Sequence, residues 1–516
     1  MTKKRQTQAG AEGRHCGGPP PTGASGSGTH SSAGRPGARR RLWRSWWAIP
    51  AAFLLLILVV LALRPWNRGT APAPPGGPAL GALPLGALPP GTPILFITID
   101  TLREDHLSRS GYPRETTPFL DRLAGEGIYF ARCFSQCSWT LPSMLTLISS
   151  LSPPVFGIRD GIAPIPREGE ETQPENPHMQ MEIFAQAHVT LAEALRAHGY
   201  RTIGVSTNGH LIERQGFTQG FDSFNETDCM WGKADCALAR ALEVVDAQPL
   251  DSLFLWVHLF DPHFDQYGRP PVYLPAPGYE TLFGKVDARD QAASVIADYD
   301  RKIRYTDDQL RAFCGALEQR GLLDRFLIVI AADHGEEFNE KGRWGHSKSL
   351  TNTLIHVPLI VRLPEKQAGG RVVADVVRNL DVMPTILDLV GAPIPSGVEG
   401  VSLRPALEGR SLPPLTVYAE TRRTGLFMIA LIDPALDRKV VMDFRTQSLE
   451  LYAFTEDVRE GTNLAGGRAQ EARQLAERLK GFAQEMEQRA IIETAPGTLS
   501  EEERERLRSL GYLGGG

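Results

Sequence analysis

The chain has 516 residues, which is long enough for a large catalytic domain with a smaller appended part. Its formal net charge of −5 comes from 55 Lys and Arg against 60 Asp and Glu, and this balance excludes the basic footprint of a nucleic-acid-binding protein. None of the six cysteines belongs to a Cys-x-x-Cys pair, which excludes the spacing typical of structural zinc sites.

The N-terminal region combines a basic segment with an apolar one. Residues 1–44 are rich in Gly, Ser, Pro and Arg and predict a disordered cytoplasmic tail. Ser45 to Leu63 carry no charge, and at ~1.5 Å per residue they would span about 28 Å, close to the hydrocarbon thickness of a bilayer. We therefore expect one transmembrane anchor over 45–64, which fixes the chain in the cell (inner) membrane with its N-terminus cytoplasmic. A cleaved signal peptide ending near Ala71-Pro72-Ala73 is the alternative, and both interpretations place the catalytic part in the periplasm or otherwise outside the cytoplasm.

The region after the anchor predicts a spacer and then an α/β domain. Residues 65–92 form a Pro/Gly/Ala linker, and the catalytic domain is expected over 93–410. Apolar runs alternate there with amphipathic segments, which favours a mixed, mostly parallel sheet between helices. The predicted strands are 94–99, 201–206, 252–258, 325–332 and 357–363. The predicted helices are 118–126, 142–150, 189–198, 234–247, 291–320 and 380–391, and 161–182 reads as a long surface loop.

The C-terminal part, residues 411–516, has a different texture. Short strand-like segments at 415–421, 426–432, 438–444 and 449–454 predict a small antiparallel subdomain, followed by a charged helix near 468–490. Five of the cysteines follow the anchor, so at least one external thiol is unpaired, and Cys229 with Cys236 is the nearest candidate pair.

Three distant segments predict one metal-dependent ester-cleaving site. Asp100 ends the apolar run 94–99, and Asp333 and His334 end the run 327–332. Because ligands gather at the carboxyl ends of parallel strands, these side chains should meet there with Thr140. Pro142 favours a helix start, which makes Thr140 a candidate N-cap and nucleophile. The set Asp100, Thr140, Asp333 and His334 suits one divalent cation, zinc or manganese rather than calcium.

Further histidines follow other strands of the predicted sheet. His258 closes the apolar run 253–257, and His346 and Lys348 lie shortly after the Asp333-His334 pair. We expect His258, His346 and Lys348 to stabilise the charge of the transition state or to protonate a leaving alcohol. Each of these residues alone is also compatible with a structural or solvated role.

Together these segments resemble the sulfatase branch of the alkaline-phosphatase superfamily from about residue 93 to the C-terminus. The resemblance rests on six ordered blocks, which are Ile99-Asp100-Thr101-Leu102-Arg103, Thr116-Thr117-Pro118-Phe119-Leu120, His258-Leu259-Phe260-Asp261-Pro262-His263, Asp333-His334-Gly335-Glu336-Glu337-Phe338, Gly345-His346 with Val357-Pro358-Leu359-Ile360, and Glu450-Leu451-Tyr452 with Asn463-Leu464. It implies an alkaline-phosphatase-like fold with a small C-terminal sheet.

Two departures from the sulfatase pattern shape the functional prediction. The family places a Cys or Ser that becomes formylglycine where this chain has Thr140, and an Arg where it has Met144. Threonine has the wrong carbon skeleton for that aldehyde, and Cys137 is out of register. The ligand set resembles instead the phosphoglycerol and phosphoethanolamine transferases, which use an unmodified threonine.

The resemblance therefore implies a membrane-anchored esterase that cleaves or transfers a phosphate ester through Thr140. The substrate would be a phosphate or, less favoured, a sulfate ester, and the anchor suggests one from the cell envelope. A true sulfuric-ester hydrolase and a catalytically decayed binding protein of the same fold are the alternatives.

Overall fold

The computed structural model of the chain describes residues 85–158, 179–225, 233–287, 289–423 and 425–497. The strands are β1 Ile94–Ile99, β2 Ile128–Phe134, β3 Met179–Ile183, β4 Arg201–Ser206, β5 Ser223–Asn225, β6 Leu253–Leu259, β7 Leu327–Ala332, β8 Glu337–Phe338, β9 Trp344–Gly345, β10 His356–Arg362, β11 Arg371–Val373, β12 Val377–Arg378, β13 Val417–Arg423, β14 Leu426–Asp433, β15 Arg438–Asp443, β16 Ser448–Ala453 and β17 Glu493–Gly497. The α-helices are α1 Pro118–Glu126, α2 Thr140–Ser149, α3 Pro153–Phe156, α4 Leu191–Ala197, α5 Ala234–Ala247, α6 Gln291–Gln319, α7 Asn352–Ile355, α8 Val382–Val390, α9 Arg404–Leu407 and α10 Ala469–Gln488.

The predicted tail (1–44), the predicted anchor (45–64) and most of the predicted loop 161–182 lie outside the described residues. Within the described ranges, no helix is both long enough and apolar enough to cross a membrane.

The central sheet is mixed and mostly parallel, as the sequence predicted. Its strand order is β11-β2-β10-β7-β1-β6-β4-β5, with β12 also pairing with β2. Strands β7, β1, β6, β4 and β5 run parallel to one another, whereas β10 is antiparallel to both of its neighbours. Two groups of helices pack on this sheet, α1 with α5 and α6, and α2 with α4 and α8. The sheet therefore lies between two helical layers.

The sheet interior explains why the central strands are continuous apolar runs. Every residue of β1, β6 and β7 is buried, because helices cover both faces of the sheet and neither face is exposed to solvent. Register places Ile99 beside Ala332 of β7 and Leu259 of β6. The polar residues that follow these three strands consequently meet at one edge.

The C-terminal sheet is a four-stranded antiparallel meander in the order β13-β14-β15-β16, which confirms the predicted small subdomain. Its side chains alternate between two apolar clusters. One face packs Val417, Ala419 and Ala430 against Phe134 and Leu354 of the larger part. The opposite face packs against α10 through residues that include Leu475 and Leu479. The alternation of period two thus holds this sheet between the catalytic part and a covering helix.

Three local features differ from the sequence prediction. Helix α2 begins at Thr140 and its N-cap is Trp139, which has extended backbone angles, so the N-cap prediction for Thr140 is wrong by one residue. The strand β3 lies at the end of the predicted loop 161–182 and pairs with β17. Leu88, within the predicted spacer 65–92, is buried in the core.

Candidate active site

Asp100, Asp333 and His334 form a cluster at the carboxyl edge of the sheet. Their candidate ligand atoms lie within 4.8 Å of one another, and all three side chains are fully buried. Asp100 follows β1 and Asp333 follows β7, and these strands are parallel neighbours. Because these strand ends are adjacent, Thr101 and Asp333 form a hydrogen bond although they are 232 positions apart in the sequence.

Each carboxylate in this cluster has one oxygen engaged and one without a partner. Asp100 Oδ2 accepts a hydrogen bond from Asn208 Nδ2 at 2.6 Å. Asp333 Oδ1 accepts from the backbone N–H groups of Thr101 at 3.1 Å and His334 at 2.8 Å. Asp100 Oδ1 and Asp333 Oδ2 are buried and lack hydrogen-bond donors. Buried, unpartnered carboxylate oxygens are costly, and a cation between them would remove that cost.

His334 presents a ring nitrogen to the same point. Its Nδ1 lies 2.8 Å from the carbonyl oxygen of Gly335, so Nδ1 carries the proton and Nε2 has a free lone pair. That Nε2 is 3.8 Å from Asp100 Oδ1 and 3.5 Å from Asp333 Oδ2. Burial lowers the pKa of His334 to about 4, which keeps the imidazole neutral and able to bind a metal. The donor set of two carboxylates and one imidazole fits a divalent cation such as zinc or manganese.

The two carboxylates titrate in opposite directions. Burial alone would raise the pKa of Asp100, but the imidazoles of His258, His263 and His334 around it lower the pKa below its usual range. Burial and the charge of Asp100 raise the pKa of Asp333 well above its usual range. Two carboxylates sharing one buried site favour a single ionisation unless positive charge is added.

Thr140 lies against this cluster, as the sequence predicted. Its Oγ1 is 3.3 Å from His334 Nε2, and the side chain is fully buried. Because Trp139 is the N-cap, the Thr140 hydroxyl makes no capping bond and remains available to the site. The first turn of α2 adds free backbone N–H groups and a partial positive charge near that hydroxyl.

The backbone at Thr101 is held in a left-handed conformation with φ of 54°. Such a conformation costs a β-branched residue on the order of 1–3 kcal/mol. It aims the Thr101 N–H at Asp333, so the bend after β1 orients the second carboxylate of the cluster.

A hydrogen-bond chain fixes the tautomer of His258. The indole Nε1–H of Trp256 donates to Thr98 Oγ1 at 3.0 Å, and that hydroxyl lies 2.9 Å from His258 Nδ1. Because His258 Nε2 faces a carboxylate oxygen of Asp100, we assign the ring proton to Nε2, which leaves Nδ1 to accept from the Thr98 hydroxyl. His258 Nε2 lies 3.4 Å from Asp100 Oδ2, on the side of the site. His258 is thus built to donate a hydrogen bond into the cluster.

His346 is the second histidine that the sequence predicted, and it also lies at the site. Its ring centroid is 4.6 Å from that of His334, and its Nδ1 is 3.1 Å from Glu336 Oε1. Burial is the main cause that lowers the pKa of His346 to about 3, and the charges of Arg423 and Lys348 lower it further. Burial raises the pKa of Glu336 to about 8, and its Oε2 accepts from the Tyr273 hydroxyl at 2.9 Å.

Lys348 lies farther out than the histidines. Its ammonium group donates to the Tyr267 hydroxyl at 2.6 Å and sits 4.8 Å from the centre of that ring. The side chain is half-buried, whereas Thr140 and His334 are fully buried. Lys348 is therefore nearer to solvent than Thr140 and His334.

Several site residues were missed by the sequence prediction. Asn208, which donates to Asp100, and the buried His210 follow β4, the strand beside β6. Burial and the charge of Arg423 lower the pKa of His210 to about 3. Because the strand 201–206 was predicted, the polar residues directly after it could have been proposed as site residues from the sequence. His263 was quoted only within a motif, and its ring centroid lies 4.9 Å from that of His346.

Cysteines of the described residues do not supply a reactive thiol. Cys133, Cys137 and Cys314 are free and buried, and burial raises the pKa of Cys137 above its usual range. Cys236 is disulfide-bonded, and the predicted partner Cys229 lies outside the described residues.

A family model described as Sulfatase matches residues 93–392, which is more than half of the chain. The N-acetylglucosamine-6-O-sulfatase of Bacteroides thetaiotaomicron is 29% identical over 32% of this chain and 29% of its own length. The ulvan-active sulfatase of Formosa agariphila is 24% identical over 60% and 64%. For these two relatives, the match spans less than two thirds of the relative. Human arylsulfatase A is 26% identical over 76% of this chain and 87% of its own length.

Solved structures share the same fold. A protein solved with its substrate D-glucosamine-2-N,6-O-disulfate superposes with a TM-score of 0.63 at 18% identity, covering 77% of this chain and 98% of that one. The phosphonate monoester hydrolase of Silicibacter pomeroyi gives a TM-score of 0.59 at 18% identity, covering 76% and 95%. At this level of identity the likeness concerns the fold.

Proposed function

The chain belongs to the sulfatase family, and we propose that it cleaves or transfers phosphate esters, in preference to sulfate esters, with Thr140 as the nucleophile. The family's enzymes are metal-dependent, and the homologues are ester hydrolases. The observation that carries the proposal is the 3.3 Å contact between Thr140 Oγ1 and His334 Nε2, beside two carboxylate oxygens that lack partners. An unmodified hydroxyl at the edge of a cation site is the arrangement that a phosphoester-cleaving threonine needs.

One divalent cation, zinc or manganese, would be held by Asp100, Asp333 and His334 together with Thr140, and it would lower the pKa of the hydroxyl and offset negative charge. The hydroxyl proton of Thr140 would pass to water, and Oγ1 forms the new bond to phosphorus while the bond from phosphorus to the oxygen of the leaving alcohol breaks. The burial of Thr140 excludes bulk water from this step.

The surrounding histidines have distinct roles in this proposal. His258 donates its Nε2–H to an oxygen of the transferred group, and the chain from Trp256 through Thr98 keeps that proton on Nε2. His346 has the carboxyl group of Glu336 at its other ring nitrogen, so it can pass a proton to the leaving alcohol and be replenished. Lys348 contributes positive charge near His346.

The phosphothreonine is then released to water, which makes the protein a hydrolase, or to a second alcohol, which makes it a transferase. Product analysis of a phosphodiester reaction run with and without an added alcohol distinguishes these two fates.

The test of the function is turnover of matched aryl phosphodiester, phosphomonoester and sulfate substrates by the zinc- or manganese-loaded protein. We expect the phosphoesters to be cleaved faster, and Thr140→Ala to reduce turnover by at least about 10³-fold, as loss of a nucleophile does. Thr146→Ala is the matched control, because Thr146 is a buried threonine of the same helix whose hydroxyl, unlike that of Thr140, has no hydrogen-bond partner. Full activity in Thr140→Ala would refute the proposal.

Sulfate-ester hydrolysis is the second candidate, and the names of the relatives favour it. It requires this site to cleave sulfate esters with threonine in place of formylglycine. Faster turnover of the aryl sulfate than of both phosphoesters would select this alternative.

We also propose that residues 45–64 hold the catalytic part on the outer side of the cell membrane. The disulfide bond of Cys236 supports an oxidising compartment. Deletion of 1–64 should move the protein from the membrane fraction to the soluble fraction of the cell. An unchanged distribution would refute the anchor.

A further inference from the structure

Strand β13 of the C-terminal sheet runs beside the segments that carry Thr140 and His346. The backbone N–H of Glu420 donates to the carbonyl of Gln136 at 2.9 Å, and Thr421 Oγ1 donates to the carbonyl of Ser347 at 2.9 Å. The N–H of Ser347 in turn donates to the carbonyl of Ser138 at 2.9 Å. The end of β13 is therefore fixed against both sides of the candidate active site.

Arg423, the last residue of β13, reaches the residue that precedes the nucleophile. Its guanidinium carbon lies 5.2 Å from the centre of the Trp139 ring. A residue of the C-terminal sheet thus adds positive charge next to Thr140.

Lys348 and Arg269 are two further cations that contact the same tyrosine. Both side chains donate hydrogen bonds to Tyr267. Burial alone would raise the pKa of the Tyr267 phenol, but the two cations lower that pKa below its ordinary value. In the part of the chain that the structure describes, the Lys348 ammonium bonds to this hydroxyl and to no carboxylate. Its positive charge is therefore left for a ligand.

The burial of these cations rises toward the nucleophile. Arg269 is exposed, Lys348 and Arg423 are half-buried, and Thr140 is fully buried. The three cations are therefore nearer to solvent than the buried Thr140 hydroxyl, where the transferred group must sit. We call Arg269, Lys348 and Arg423 the cationic rim.

We infer that the cationic rim binds a second anionic group of the substrate, a carboxylate, phosphate or sulfate that is not the group being transferred. This inference rests on the proposed function for the identity of the cleaved ester. Arginine offers a planar pair of donors and lysine a point charge, and both bind carboxylate or phosphate oxygens strongly when partly desolvated. The favoured substrate is thus an ester with at least two separate anionic groups.

The experiment measures binding of phosphonates to the full-length zinc- or manganese-loaded protein by calorimetry, because a phosphonate P–C bond survives the measurement. The probes are ethylphosphonate and hexylphosphonate, each compared with its carboxylate-bearing counterpart, phosphonoacetate or 6-phosphonohexanoate. For at least one of the two lengths, we expect the carboxylate to tighten binding about fivefold or more, the effect of one charge-assisted contact.

Arg423→Met and Lys348→Met should bring that ratio close to one. Arg422→Met is the matched control and should preserve the ratio, because Arg422 is the adjacent residue of β13 but pairs with Glu487 at 2.8 Å and stacks on Phe427. The inference is overturned if neither carboxylate improves binding, if neither carboxylate probe binds, or if both rim variants retain the ratio.

Binding and turnover separate the two proposals. A rim-dependent carboxylate preference in a protein that cleaves no phosphoester would uphold the rim and refute the proposed function. Phosphoester turnover that depends on Thr140, without a carboxylate preference, would do the reverse.

Discussion

The cation site makes a specific prediction for Asp333→Asn, because this residue has opposite effects on stability with and without metal. In the metal-free protein, the ligand oxygens of Asp333 and Asp100 lie within 4.8 Å of each other. Two charges at that separation repel by about 3 kcal/mol at an effective dielectric constant of ~20. Burial and the charge of Asp100 raise the pKa of Asp333, and this direction favours a proton on Asp333 that relieves the repulsion.

An asparagine at position 333 fits the metal-free site well. Its amide oxygen can accept the N–H groups of Thr101 and His334 that Asp333 Oδ1 now accepts. Its NH₂ group then replaces Oδ2 and faces Asp100 Oδ1, which has no donor. We therefore expect metal-free Asp333→Asn to be at least as stable as the metal-free native protein, by up to about 1 kcal/mol.

Metal should reverse this order. At a free metal concentration of about 100 Kd, binding raises the unfolding free energy of the native protein by ~2.7 kcal/mol. With ~400 ordered residues and ~2.1 cal/mol/K per residue, this amounts to a Tm increase of about 3 °C. If the variant binds about 100-fold more weakly, the same metal concentration adds only ~0.4 kcal/mol, or less than about 1 °C.

The assay is a pair of thermal melts for each protein, after chelation with EDTA and after addition of zinc or manganese. Asp307→Asn is the control, because Asp307 is a buried carboxylate whose two oxygens accept the N–H groups of Phe119 and Leu120 at 2.8 Å. This control should lose stability but keep the native increase on metal addition. A full increase in Asp333→Asn, or a metal-free loss above about 2 kcal/mol, would refute the assignment of Asp333 as a ligand.

Two further predictions concern the buried polar network. Thr98→Val removes the hydroxyl between Trp256 and His258, so kcat/KM should fall about tenfold or more and the unfolding free energy by ~1–3 kcal/mol. Thr98→Ser keeps a hydroxyl at this position and should restore both values. Native kcat/KM in the valine variant would show that the tautomer of His258 is irrelevant. Glu104 is buried with a pKa raised to about 7, so the folded state holds its proton more tightly than the unfolded state, and the unfolding free energy should fall by ~3 kcal/mol as pH rises from 4.5 to 7. In denaturant melts, Glu104→Gln should lose this fall in the unfolding free energy between pH 4.5 and 7, whereas the exposed control Glu115→Gln should keep it. The same pH dependence in Glu104→Gln and in the native protein would contradict the prediction.

Much of the fold could be predicted because the catalytic part is built from long buried strands. The run 94–99 and the helix 118–126 have the predicted bounds, and 201–206 and 234–247 also agree. Such segments carry a strong apolar signal that neighbouring structure does not change. Short strands such as β8 and β9 were missed, because two residues are too few to show any period.

The N-cap at α2 illustrates the limit of local rules. Pro142 correctly indicated a helix start, but proline tolerates several positions of the first turn. The extended backbone of Trp139 decides the boundary, and Ser143 Oγ donates to the Trp139 carbonyl at 2.7 Å. A one-residue shift changes the role of the Thr140 hydroxyl from a cap to a group that faces His334.

The sequence by itself determined which residues end the strands of the sheet, and hence that Asp100, Asp333 and His334 would gather at one edge. Chain direction is enough for this, since parallel strands carry their carboxyl ends to the same side. Only the tertiary structure decided which oxygens lack partners, that Thr98 sets the tautomer of His258, and that Arg423 stands beside Trp139. These contacts join residues more than 150 positions apart, and such pairings depend on strand order and packing, which no local pattern encodes.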